Sequence, residues 1–112
     1  DKQHFIPIVN GMEQVVYGEE GTAKYCKIPN YEICGKTGTA QNPHGEDHSI
    51  FIAFAPKENP AIAIAVYVEN GGWGSTWAAP IASLMIEKYL TKNTTNKQQE
   101  EFIIKGNLLS KR

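Results

Sequence analysis

Apolar residues near the start of the chain recur at the spacing of one face of a helix. They are Phe5, Ile8, Val9, Met12, Val15 and Val16. This period predicts a helix over about 4–17. Pro7 fits only in the first turn of this helix, because the amide hydrogen that proline lacks has no helical acceptor there. The helix is expected to end at Gly18, and the segment 19–30 has no period and is predicted to be a connecting loop.

Three apolar segments follow the loop and predict β-strands. They are 31–40, 48–55 and 61–69. The segments between them, 42–47 and 56–60, are short and rich in Asn, Pro, Gly and Asp, which are turn-forming residues. Strands joined by such short turns pair with their neighbours, so the three strands are predicted to form an antiparallel meander.

The last third of the chain predicts a second helix and a tail. A glycine-rich break at 70–74 precedes an apolar pattern of helical spacing, which predicts a helix that starts between 75 and 80 and ends near residue 91. The segment 92–112 is polar and is predicted to be a mobile tail. The chain is therefore expected to divide into a folded part, 1–91, and this tail.

These elements predict the α+β fold class: a three-stranded antiparallel meander with an N-terminal and a C-terminal helix. The second and third strands are apolar on both faces, which is typical of a sheet covered on both sides. In the third strand, alanines alternate with Ile and Val. We expect one or both helices to pack on the alanine face and the Ile/Val face to lack a covering layer. This lack, and a first residue, Asp1, that is not Met, favour an excised piece of a longer protein.

Composition and charge narrow the classes of function. Of the 112 residues, 41% are hydrophobic and 21% are charged, which is ordinary for a globular domain. The net charge is -1 and no basic cluster exceeds Lys111-Arg112, which argues against a nucleic-acid partner. No apolar run approaches the roughly 18–20 residues of a membrane span, so the piece is expected to be soluble.

The segment 36–41 carries the candidate chemistry. It reads Lys36, Thr37, Gly38, Thr39, Ala40 and Gln41. Gly38 removes a side chain where the backbone of a ligand could lie along the strand. An ammonium, two hydroxyls and a backbone N–H at consecutive positions suit a peptide that bears a carboxylate and whose carbonyl is under attack. Lys-Thr-Gly alone is a weak match, and an exposed edge strand with a lysine is the alternative interpretation.

In its context, the segment resembles the end of a class B penicillin-binding transpeptidase, most closely the penicillin-binding protein 2 group of cell elongation. The stretches that carry the resemblance are 21–23, 33–41, 47–48, 51–56 and 68–72. Penicillin-binding proteins combine three motifs, Ser-x-x-Lys, Ser-x-Asn and Lys-Thr-Gly. Only the third occurs here, because no serine of the chain is followed by Lys three residues later or by Asn two residues later. The nucleophile and its base are absent from the chain.

The resemblance implies the serine transpeptidase/β-lactamase-like fold and a role for each residue of the motif. Lys36 would face the serine of the missing Ser-x-Asn motif. Thr37 and Thr39 would hold the terminal carboxylate of a D-Ala-D-Ala stem peptide or of a β-lactam, beside Gly38. The backbone N–H of Thr39 would be one of two oxyanion donors. Gln41, which lies beside this site, is expected to contact the backbone of the substrate.

For the whole protein, the resemblance implies a peptidoglycan D,D-transpeptidase that uses serine acyl transfer with no metal and no cofactor. It would lie in the bacterial inner membrane, with this part in the periplasm, and would work with other proteins of cell-wall elongation. The piece alone is expected neither to cross-link stem peptides nor to bind penicillin covalently, because it lacks the nucleophile. The uncovered sheet face also predicts self-association of the piece.

Two other functions remain open at this point. One is a β-lactamase-related hydrolase, which shares the Lys-Thr-Gly strand, and the other is a non-enzymatic β-lactam sensor or interaction module. A zinc site built from His44, His48, Cys26 and Cys34 is disfavoured, because the cysteines are too far apart in the chain for a structural zinc module. The two cysteines are expected to be thiols that are either packed or partly exposed.

Overall fold

The computed structural model describes residues 1–111 and contains three α-helices and three strands among them. The helices are α1 (Phe5–Tyr17), α2 (Ala78–Thr91) and α3 (Lys97–Lys105). The strands are β1 (Cys34–Ala40), β2 (His48–Ala55) and β3 (Ile62–Val68). They form one antiparallel sheet in the order β1-β2-β3, which confirms the predicted meander and the α+β class. None of the helices within the described residues is long and apolar enough to span a membrane.

Helix α2 covers one face of the sheet. Residues that are paired directly across two strands point to the same face, and Phe51 of β2 is paired with Thr37 of β1 and Val66 of β3. The residues of this face in β2 are all buried: Ser49, Phe51, Ala53 and Ala55. Phe51, Ala53 and Ala55 form a core with the buried helix residues Ala78, Ala79, Ala82 and Ile86. The small helix residues let α2 approach the sheet closely.

The prediction of which face of β3 is covered was wrong. Four half-buried residues of β3 pack against the core: Ile62, Ile64, Val66 and Val68. The alanines between them, Ala63 and Ala65, are exposed. The small residues that permit a close approach belong to the helix, so the larger side chains of β3 fill the space beneath it. We call the side of the sheet that α2 does not cover the open face; in β2 and β3 it consists of Ile50, Ile52, Phe54, Ala63, Ala65 and Tyr67.

Helix α1 lies beside β1 and positions the entry to this strand. It begins and ends close to the predicted bounds, with Gly18 after its last residue. The Tyr17 hydroxyl donates to the Tyr31 carbonyl at 3.1 Å and accepts from the Ile33 amide at 3.4 Å. Burial raises the pKa of this hydroxyl. An ion pair between Glu13 and Lys57 also ties α1 to the turn between β2 and β3.

Helix α3 lies in the segment 92–112, where the sequence pattern did not predict a helix. The Asn96 side chain caps its start by accepting from the Gln99 amide at 3.0 Å. Glu87, which is only 3% exposed, accepts hydrogen bonds from the Thr95 amide and from the Thr95 hydroxyl. These contacts hold the segment against α2. The division of the chain at residue 91 stays a prediction.

The two cysteines are free thiols in the interior, as expected. Cys26 is 2% exposed and Cys34 is fully buried. Burial raises the pKa of both thiols, that of Cys26 to about 12. Within residues 1–111, no three His, Cys, Asp or Glu side chains lie close enough together to hold a metal ion.

The glycine of β1 that packing requires is Gly35. A Cβ added to Gly35 would lie 2.4 Å from the Phe51 ring, so Gly35→Ala is expected to destabilise the chain by about 1–3 kcal/mol. Gly38→Ala is the matched control on the same strand, because its added Cβ would lie 3.5 Å from Ile50, an ordinary contact. Urea denaturation measures both free energies of unfolding. Equal losses of stability in the two variants would contradict the packing role of Gly35.

The buried thiols predict slow chemical modification. The thiolate is the reactive form, and a pKa of about 12 keeps Cys26 protonated at pH 9, where a free thiol is mostly ionised. A maleimide or disulfide reagent should therefore label neither Cys26 nor Cys34 in the native chain at pH 9. Both should react at once in denaturant. Rapid labelling of Cys26 under native conditions, measured by mass spectrometry, would show that its thiol is not buried.

Candidate active-site strand

The residues of the Lys-Thr-Gly motif lie together on β1, an edge strand of the sheet formed by the described residues. Lys36 and Thr39 are exposed, and Thr37 and Gly38 are half-buried. Side chains alternate along a strand, so Lys36 and Gly38 point to the side of the open face, and Thr37 and Thr39 point to the other side. An edge strand can accept an extended peptide by main-chain hydrogen bonding. The strand therefore presents a cation, two hydroxyls and a free edge to one ligand.

Lys36 borders a cleft between β1 and the end of α1. The volume of this cleft is about 620 Å³, and its other wall includes Gln14, Val15, Glu20 and Thr22. The Lys36 ammonium donates to the carbonyl of Thr37 at 2.8 Å. This acceptor is a neutral backbone oxygen of the same strand. The ammonium can therefore turn towards a carboxylate or a hydroxyl without breaking an ion pair with it.

The segment Gly21-Thr22-Ala23 holds the side chain of Thr37. The hydroxyls of Thr22 and Thr37 lie 2.9 Å apart and share a hydrogen bond. The Ala23 amide donates to the Val15 carbonyl at 2.9 Å, which ties the segment to the end of α1. A Cβ on Gly21 would lie 2.5 Å from the same carbonyl, so this position requires glycine.

The segment 21–23 contributes to the resemblance, but the contact of Thr22 with Thr37 was not predicted from the sequence. The one local signal for Thr22 is a hydroxyl residue flanked by two small residues just beyond the end of a helix. This pattern does not reveal which strand the hydroxyl faces, because the two segments lie 15 residues apart and meet only in the folded chain.

At Gly38 the strand is open on one side and covered on the other. On the open side, the nearest atom to an added Cβ is that of Ile50 at 3.5 Å, which leaves room for a ligand. On the other side, the loop 70–77 packs so closely that a Cβ on Gly74 would lie 2.5 Å from the Gly38 carbonyl oxygen. The two glycines of β1 are therefore needed for different purposes. Gly35 makes room for the Phe51 ring, and only Gly38 borders open space.

Gln41 lies apart from the other predicted residues. It is exposed one residue beyond β1 and borders a second cleft, of about 510 Å³, with Asn42, Pro43 and Asp47. The turn that forms this cleft is held by Asn42, whose amide donates to Asp47 at 2.9 Å and whose side chain donates to Asn70 at 2.7 Å. The structure thus brings Lys36, Thr37, Gly38 and Thr39 together and places Gln41 at the end of the strand.

The two histidines near the site have structural contacts. The His44 amide donates to the Asn42 side chain at 3.1 Å, and the His44 residue is exposed on the turn. His48 accepts from the Asn70 amide through Nδ1 at 3.0 Å, and its ring centre lies 5.2 Å from that of Tyr67. His48 therefore packs at the start of β2, as its sequence position suggested.

The serines buried in the core do not act as nucleophiles. The Ser49 hydroxyl donates to the Trp73 carbonyl at 2.9 Å and accepts from the Ala78 amide at 3.1 Å. The Ser83 hydroxyl donates to the Cys26 carbonyl at 2.9 Å. Both side chains are buried, so neither reaches a substrate on β1. Neither of these two buried serines is therefore a candidate nucleophile.

The chain is similar to known proteins in sequence and in fold. The sequence model of the penicillin binding protein transpeptidase domain matches residues 1–87. Among curated proteins, the peptidoglycan D,D-transpeptidase MrdA of Haemophilus influenzae is 38% identical over 98 residues, which cover 73% of this chain and 15% of the relative. The chain thus spans about a seventh of the length of this relative.

Two solved structures have the same fold over most of this chain. The crystal structure of Pseudomonas aeruginosa PBP2 in complex with WCK 5153 matches 87% of this chain and 22% of that chain, with 39% identity and a TM-score of 0.74. The ceftriaxone acyl-enzyme complex of penicillin-binding protein A from Mycobacterium tuberculosis matches 71% and 20%, with 38% identity and a TM-score of 0.62. By sequence and by fold, the chain belongs to the penicillin-binding protein transpeptidase domain family and resembles its penicillin-binding protein 2 members.

Proposed function

We propose that the protein containing this chain is a peptidoglycan D,D-transpeptidase, and that the chain supplies the substrate-binding strand of its active site. The observation that carries the proposal is the edge strand β1, on which Lys36 and Thr39 are exposed and Thr37 is held by Thr22. The relatives are named as D,D-transpeptidases, which favours this function over a β-lactamase-related hydrolase or a sensor.

Each residue of the strand has a proposed role. Lys36 positions its ammonium towards the reacting groups and assists proton movement. The hydroxyls of Thr37 and Thr39 bind the terminal carboxylate of a stem peptide or of a β-lactam. The Thr39 amide stabilises the oxyanion that forms when the carbonyl is attacked, and the open side of Gly38 leaves room for the ligand backbone. Gln41 contacts the ligand further along the strand. No metal or cofactor takes part in this proposal.

The chain alone is proposed to be inactive, since it contains neither a Ser-x-x-Lys nor a Ser-x-Asn motif. We infer that another part of the whole protein supplies both and packs against the open face. Ile52 and Tyr67 of this face are 48% and 58% exposed in the separate chain. Such an apolar surface is expected to drive self-association of the separate chain. The surface proposed to drive self-association is thus the open face, and not the Ile/Val side of β3 that was predicted from the sequence.

The setting of the whole protein is also a proposal. It would lie in the bacterial inner membrane, expose this part to the periplasm and work with other proteins of cell-wall elongation. The names of the relatives support a role in peptidoglycan synthesis. The acyl-enzyme complex of the M. tuberculosis protein supports covalent β-lactam binding by the whole protein.

A fluorescent penicillin distinguishes the chain from the whole protein. The full-length protein should retain the label after denaturing electrophoresis, because a serine ester survives denaturation, and the separate chain should retain none. A label on the separate chain would contradict its proposed inactivity. A full-length protein that retains the label but does not cross-link lipid-linked stem peptides would be a sensor and not a transpeptidase.

The role of Lys36 predicts a loss of acylation rate in the full-length protein. Lys36→Ala should lower the second-order rate constant of acylation by a β-lactam by about 10²-fold or more, because proton transfer loses its positioned partner. Lys88→Ala is the matched control, since Lys88 is an exposed lysine on α2 whose ammonium donates to the nearby Lys92 carbonyl. Stopped-flow fluorescence measures both rates. Equal rates in the two variants would remove Lys36 from the mechanism.

A further inference from the structure

The start of α2 is covered by the end of α3. The ring of Phe102 stacks on the ring of Trp77, with the ring centres 4.8 Å apart and the planes inclined by 18°. Gly106, which follows α3, lies so close to the same indole that an added Cβ would be 2.2 Å from it. Trp77 is consequently 8% exposed, whereas Trp73, four residues earlier, is 73% exposed. The indole of Trp77 is therefore held between α2 and α3.

Trp77 is connected to β2 through the backbone on either side of it. The next amide, that of Ala78, donates to the Ser49 hydroxyl at 3.1 Å, and this hydroxyl donates in turn to the Trp73 carbonyl at 2.9 Å. Ser49 is fully buried and is paired with Thr39 across the two strands. The Ser49 hydroxyl thus binds both ends of the segment 73–78. Ser49 itself lies opposite Thr39, the proposed oxyanion donor.

The same segment presses on β1 directly. Its residue Gly74 lies against the backbone of Gly38 and Ile50, where an added Cβ would be 2.5 Å from one carbonyl oxygen and 2.4 Å from the other. The Gly74 carbonyl accepts from the Ala79 amide at 2.9 Å, so Gly74 is also tied to the first turn of α2. A displacement of Trp77 therefore moves the backbone that supports Gly38.

We propose that α3 is a positioning element for the active-site strand: by holding Trp77, it keeps the segment 73–78 against Gly38 and keeps the Thr39 amide in place. The inference rests on the proposed function, since the role of Thr39 is part of that proposal. Phe102 and Gly106 are positioning residues, because they reach β1 only through Trp77. Both lie beyond residue 87, where the match to the family ends.

The first test uses hydrogen exchange of the chain, read by mass spectrometry. Phe102→Ala should speed exchange in the peptides that cover 73–79 and 34–40 by about twofold to tenfold, the range expected for loss of one aromatic pair. Ile104→Ala is the matched control on the same helix, because Ile104 is 74% exposed. Unchanged exchange over 62–68 shows that the sheet remains folded. Faster exchange confined to 94–106 would overturn the proposal.

A second variant covers the case in which Phe102→Ala unfolds the chain. Gly106→Ala retains the Phe102 side chain but places a Cβ against the Trp77 indole. It should speed exchange over the same two peptides, and Phe102→Tyr, which retains an aromatic ring, should behave as the unmodified chain does. If neither Gly106→Ala nor Phe102→Ala changes exchange over 34–40, α3 does not position β1.

Acylation of the full-length protein distinguishes a failure of this inference from a failure of the proposed function. Phe102→Ala should lower the acylation rate constant for a β-lactam by about twofold to tenfold at a temperature well below unfolding, and Phe102→Tyr should restore it. Ile104→Ala should leave the rate unchanged. A full-length protein that acylates equally fast with and without Phe102 would overturn the inference alone. A protein that forms no adduct in any variant would overturn the proposed function, and hydrogen exchange would still decide whether α3 positions β1.

Discussion

Burial of the Phe51 ring is the constraint on which the rest of the structure depends. Phe51 is fully buried at the centre of the sheet, beneath the small residues of α2. Its ring occupies the space that a side chain on Gly35 would need, so β1 can pair with β2 only where a glycine faces this ring. A slip of one residue would turn every side chain of β1 to the opposite face. The position of Phe51 therefore decides that Lys36 points to the open side and Thr37 to the covered side.

The chemistry of the site follows from the position of β1 at the edge of the sheet. The edge leaves the strand accessible to an extended ligand, and the contacts on its covered side restrain it. Thr22 holds Thr37 from the end of α1, and Gly74 supports Gly38 from the loop before α2. Binding groups are thus held in place by elements from both ends of the chain. In the proposed function, the nucleophile comes from another part of the whole protein.

Local sequence patterns predicted the elements well where turn residues and apolar period agreed. Strand β2 occupies His48–Ala55 as predicted, and α1 ends just before Gly18. The covered face of β3 was predicted wrongly, because alternation shows that a strand has two faces but not which one meets a helix. Helix α3 was not predicted, since its segment is polar and it is held by contacts with distant residues, such as that of Phe102 with Trp77. Contacts of this kind depend on residues distant in the chain.

By itself, the sequence determined the order of the elements, the meander and the segment that carries the chemistry, since these follow from neighbouring residues. The motif at 36–39 and its resemblance to transpeptidases also needed no coordinates. Only the tertiary structure decided which side of the sheet stays open, that Thr22 meets Thr37, and that α3 covers Trp77. The physical reason is that burial and hydrogen bonding join residues far apart in the chain, and periodicity records only what each residue shares with its neighbours.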